Sequence, residues 1–122
     1  MEEGTVVRLD NIYYDYDKWE IRSDAAIELN KLVTIMEDNP SMTIELGSHT
    51  DSRGSPAYNS ALSQKRAQAV VDYLTDKGVA KNRIKSKGYG ESKILNKCVE
   101  GVECSEDDHQ LNRRTEFKIL KI

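Results

Sequence analysis

The sequence predicts an α/β fold of the α+β sandwich kind: a mixed sheet in β-α-β-α-β-β order with two main helices packed on it. Three observations carry this. Four segments have the alternation or β-branched content of strands, near 6–14, 42–48, 83–89 and 115–119. Two longer segments between the first three place apolar residues at helical spacing. Strands and helices therefore alternate, which favours right-handed crossovers and helices layered on a sheet. The last strand arrives after a loop and is free to run antiparallel to its neighbour.

Each element has a local reason. Residues 6–14 are rich in Val, Ile and Tyr, with a kink expected at Asp10-Asn11 and a polar, aromatic turn over 15–22. Ser23 is the expected N-cap of a helix whose stripe is Ala26, Leu29, Leu32, Val33 and Met36, ended by Asn39-Pro40. Met42, Ile44 and Leu46 alternate with Thr43, Glu45 and Gly47 as a half-buried strand. Ser55-Pro56 reads as an N-cap followed by proline at the first helical position. Tyr58, Leu62, Ala69, Val70, Tyr73 and Leu74 are the expected face of this helix, which Gly78 closes. A third strand follows, then a long acidic loop over 90–111, then Thr115, Phe117 and Ile119 alternating in the final strand. Lys81, Arg83, Lys85 and Lys87 read as protection of an edge strand.

With 122 residues the chain is expected to form one domain over 1–122, its core at about 5–119. Apolar residues are 38% and charged residues 32% of the chain, the profile of a well-solvated globular protein. A net charge of -3 gives no footprint for nucleic acid and no polybasic patch for a membrane. No apolar run reaches the roughly twenty residues that span a bilayer, so no direct membrane insertion is expected. The Met1-Glu2-Glu3 start lacks the sections of a signal peptide, which leaves a cytoplasmic protein or a mature domain without its address.

The segment HTDSRGSPAYNSALSQKR, 49–66, is the most informative for function. Asp51 sits in a loop behind a strand, where α/β sheets commonly hold ligands. Gly54 permits a tight turn, and the helix beginning there offers free N–H groups. Arg66 lies in that helix's apolar stripe, between Leu62 and Val70, where a guanidinium is costly without a planar acceptor. Asn59 stands one turn in, placed to orient the loop or donate to a ligand. The ordinary readings are an Asp that satisfies turn amides and an Arg that snorkels or pairs internally. The alternative is a receptor for a zwitterion, with Asp51 taking an ammonium and Arg66 gripping a carboxylate, each such bond contributing about 1.5 to 3 kcal/mol.

Four motifs in order, IYYDYDKWEIRSDA, HTDSRGSPAYNSALSQKRAQAVVDYLTDKGV, RIKSKGYGES and NRRTEF, resemble the OmpA-like C-terminal domain family. That family includes peptidoglycan-associated lipoproteins and wall-binding parts of flagellar stators. The resemblance implies non-catalytic binding of peptidoglycan through the meso-diaminopimelate of its stem peptide. It implies a periplasmic location within an outer-membrane-associated Gram-negative protein, and no cofactor. The family's binding Asp falls on Asp51 and its binding Arg on Arg66. Thr50, Asn59 and Leu62 match pocket-lining positions, and Tyr16 and Asp17 match positions that approach the ligand from the other side. Asn112, Arg113 and Arg114 match a segment whose role is mainly structural.

The stretch 96–110 is longer and more acidic than in the shortest family members, and similar to a variant in some Gram-negative lineages. Its Cys98 and Cys104 suit a local disulfide in an oxidising periplasm, which would contribute about 2 kcal/mol by the chain-entropy argument. Two free thiols, or a zinc site using Cys98, Cys104 and His109, are the alternatives, the latter with too wide a spacing and no obvious fourth ligand. An enzyme is not expected. Ser48, His49 and Asp51 are neighbours in an extended stretch and point to opposite faces, which excludes a triad. Asp15 and Asp17 lack an opposing acid for glycoside chemistry. His49 is expected to shape the loop at the strand end. The rival function is a protein-interaction module that docks a periplasmic partner through the acidic cysteine loop.

Overall fold

The computed structural model describes residues 2–9 and 25–122. The expected kink at Asp10-Asn11, the turn over 15–22, the Ser23 cap and the candidates Tyr16 and Asp17 lie outside the described residues. Strand β1 is Val6–Arg8, helix α1 Ala26–Asp38, strand β2 Thr43–His49 and helix α2 Pro56–Asp76. Strand β3 is Ile84–Gly90, helix α3 Glu106–Gln110 and strand β4 Thr115–Lys121.

The sheet order is β1-β4-β2-β3, with β2 and β3 parallel and β4 antiparallel to both β1 and β2. The last strand thus inserts between the first two, and the three strands joined through helices share one direction. Alternation decides the faces. Ile44, Leu46, Phe117 and Ile119 are buried towards the helices, with Leu29, Leu32, Val33 and Met36 of α1 and Val70, Val71 and Leu74 of α2 completing the core. Glu45, Gly47, Tyr89, Glu116 and Lys118 occupy the other face, where they line an open cavity of about 500 Å³.

α2 starts where its residues direct. The Ser55 hydroxyl accepts the Tyr58 N–H, and Pro56 takes a position whose N–H no helix needs. Its buried stripe differs from the expected one. Asn59, Leu62, Ser63, Arg66, Ala67, Val70, Val71 and Leu74 are buried, whereas Tyr58 is exposed and Ala69 and Tyr73 are only half-buried. The reason is close packing against β3. A Cβ on Gly88 would stand 2.3 Å from the Gln64 backbone nitrogen, so the helix rests on the strand at a point that carries no side chain. Small and polar residues fit that seam where an apolar stripe would not.

Two further expectations are corrected. Lys81–Arg83 form a 3-10 turn before β3, and only Lys85 and Lys87 stand exposed on that edge strand. Arg83 instead donates to the carbonyls of Met36, Asn39 and Met42, closing the C-terminal end of α1. The loop over 90–111 contains α3, capped by the Ser105 hydroxyl on the Asp108 N–H.

Candidate functional site

The site forms where β2 ends and α2 begins. Thr50 fixes the strand exit: its N–H donates to the Gly90 carbonyl and its hydroxyl to the Asp51 carbonyl. The Gly90 N–H donates in turn to Ser63 Oγ on α2. Gly54, at φ 92, turns the chain into the helix. Asn59 is buried, and its amide donates to the Arg53 carbonyl at 2.9 Å and to Glu91 at 3.1 Å. It therefore ties the 51–53 loop to the helix, the orienting role of the two expected for it.

Asp51 is only 2% exposed, a position a carboxylate tolerates when its oxygens are satisfied. Its Oδ2 accepts Arg113 at 2.6 Å and Arg53 at 2.7 Å, and its Oδ1 accepts the Arg53 backbone N–H at 2.9 Å. Burial raises its pKa, but these bonds from Arg53 and Arg113 outweigh burial and leave it below the ordinary carboxylate value. Both arginines also reach Glu106 on α3, Arg53 at 3.0 Å, and Arg113 further contacts Gln110. Asp51, Arg53, Glu106 and Arg113 thus close a ring of alternating charge.

Arg66 is fully buried on α2. It lines the same cleft as Thr50, Asp51, Arg53, Tyr58, Asn59, Leu62 and Arg113, a space of about 200 Å³. Five of the seven residues singled out from the sequence, Thr50, Asp51, Asn59, Leu62 and Arg66, are therefore brought together; Tyr16 and Asp17 lie outside the described residues. Sequence reasoning missed Arg53 and Glu106 and gave Arg113 a mainly structural role. The signals were present: Arg53 stands two residues after Asp51, and Glu106 follows Ser105, a cap residue, in an acidic run.

The rest of the Asn-Arg-Arg segment braces the loop. Asn112 accepts the Leu95 N–H and donates to Asn96, and Arg114 donates to the Lys93 carbonyl. Cys98 and Cys104 are bonded to each other. Their sulfurs are no longer thiolates, so the zinc reading loses two of its three donors.

The hydrolase reading fails on geometry. Ser48 shares a hydrogen bond with Thr115 on the helix side of the sheet, while His49 points to the other face. There His49 stacks on Tyr89 at 5.0 Å with Nε2 3.1 Å from Glu116. Burial, then the charges of Arg114 and Lys93, lower its pKa to about 3. The ring is neutral at physiological pH. The larger cavity on this open face is the weaker candidate for a charged ligand, because its Tyr89 and Glu45 are engaged with each other and its His49 ring is neutral. Tyr89 donates to Glu45 at 2.5 Å, and Glu45 lies opposite Lys118 and Lys85 on the adjoining strands.

A four-stranded mixed sheet with helices packed on it is the architecture of OmpA-like domains. The model of the OmpA family matches residues 13–107, and the chain belongs to that family. It is 37% identical over 97 residues to a peptidoglycan-associated lipoprotein of Brucella melitensis, covering 80% of this chain and 58% of that one. It is 35% identical over 115 residues to outer membrane porin F of Pseudomonas fluorescens, covering 93% and 34%. The crystal structure of the peptidoglycan-associated lipoprotein from Burkholderia pseudomallei superposes with a TM-score of 0.79 at 26% identity, covering 93% of this chain and 88% of that one. The chain spans between 13% and 58% of the length of the curated relatives it matches.

Proposed function

We propose that this chain binds peptidoglycan without turnover, taking the diaminopimelate of the stem peptide into the Asp51–Arg66 cleft. The observation that carries this reading is that a buried carboxylate and a buried guanidinium line one small opening. Asp51 Oδ2 already accepts two guanidinium groups, but Oδ1 accepts one N–H among the described residues and retains capacity for a ligand ammonium. Arg66 is the partner for the carboxylate beside that ammonium. The opening is narrow, which favours a small charged head group over a whole saccharide. The names of the relatives point to the same polymer and to the outer membrane, so the chain acts as a periplasmic anchor for a larger parent protein.

Calorimetric titration with a stem peptide carrying meso-diaminopimelate, against the same peptide with lysine at that position, tests this. In the peptide lysine presents its side-chain ammonium with no carboxylate beside it, and is expected to bind at least tenfold more weakly. Equal binding of the two, or none by either, contradicts the reading.

One observation favours a second role. Leu95, Val99, Val102 and Leu111 are exposed, four of the eight exposed large hydrophobics among the described residues, and all lie on or beside the acidic disulfide loop. Such exposure suits a periplasmic protein partner docking there. Capture of a partner that Val99→Lys with Val102→Lys abolishes, and Asp51→Ala does not, would support it.

A further inference from the structure

We infer that Glu106 is a positioning residue for the cleft: by holding Arg53 and Arg113, it keeps Asp51 able to accept a cationic ligand. The inference rests on the proposed function and deepens it. Arg53 and Arg113 each place one nitrogen on Asp51 Oδ2 and another on Glu106. Glu106 brings a second carboxylate to these two guanidinium groups, in a cleft that Arg66 also lines. Without it the cleft would lose a negative charge close to the point where an ammonium must arrive. Coulomb repulsion at such short range would oppose entry.

Glu106 reaches this position through local devices. The disulfide from Cys98 ends at Cys104, Ser105 caps α3, and Glu106 is the helix's first residue. The acidic loop therefore delivers one carboxylate to the site from outside, at a group that is itself more than half exposed. Its pKa is lowered: burial acts upwards, and the bond and charge of Arg113, then of Arg53, act more strongly downwards. Glu106 is ionised wherever Asp51 is expected to work.

The test compares the wild-type protein with Glu106→Gln, a near-isosteric change at an exposed group. Titration with meso-diaminopimelate is expected to weaken about tenfold, while pimelate, the same chain without amines, binds the variant no more weakly than the wild type. Carboxyl NMR is expected to show the Asp51 pKa falling further in the variant, because a negative charge close to it is removed. Equal loss for both ligands indicates general damage to the cleft and overturns the inference, as does unchanged diaminopimelate binding or an unmoved Asp51 pKa. Failure of the wild-type protein to bind diaminopimelate overturns the proposed function and this inference together.

Discussion

Arg113 donates to the Asp51 carboxylate at 2.6 Å across 62 residues of sequence, with both side chains almost sealed from water. The pair joins the segment that enters β4 to the loop that leaves β2. Asp51 keeps its bonds from Arg53 when Arg113 is removed, so the loss is that of a charge-assisted hydrogen bond rather than of a stranded charge. Arg113→Ala is therefore expected to lower unfolding free energy by roughly 2 kcal/mol, read by urea denaturation. Arg113→Lys is expected to recover little, because an ammonium cannot reach Asp51, Glu106 and Gln110 together.

Acid sensitivity should carry the signature of His49. Its pKa falls from 6.5 to about 3 on folding, so between those values the unfolded chain binds a proton that the folded chain refuses. Stability is fully present above pH 6.5 and declines as pH falls towards 3, by roughly 1.4 kcal/mol per pH unit. His49→Gln is expected to flatten that slope in denaturation curves recorded from pH 7 to pH 4. Asp51 acts in the same direction at lower pH: its depressed pKa contributes stability that is lost as pH falls through the folded value.

The seam between α2 and β3 predicts a severe glycine effect. Gly88→Ala sets a methyl 2.3 Å from backbone rather than from a yielding side chain. The helix must move, and overpacking of this kind costs about 3 kcal/mol. Because α2 carries Asn59, Leu62 and Arg66, ligand affinity should fall along with the melting temperature.

What the sequence made legible was local. Ser55-Pro56 announces α2 because capping depends on four adjacent residues, and Met42, Ile44 and Leu46 announce β2 because burial alternates with the strand. The stripe of α2 was partly misread because its partner is a glycine-bearing strand, a fact of tertiary packing. Helix α3 escaped notice because Glu106–Gln110 holds no apolar residue from which to read a period. The cleft was legible to the extent that Asp51 and Arg66 are chemically awkward where they stand. The ring through Arg53, Arg113 and Glu106 was not, since it depends on which loops the inserted strand β4 brings together.

The central claim, that one acid and one base hold the ligand from its two ends, is tested most directly by co-sedimentation with purified sacculi. Wild-type protein is expected in the pellet, while Asp51→Ala and Arg66→Ala, each shown by circular dichroism to be folded, remain in the supernatant. Pelleting of either folded variant to the wild-type extent would contradict the account.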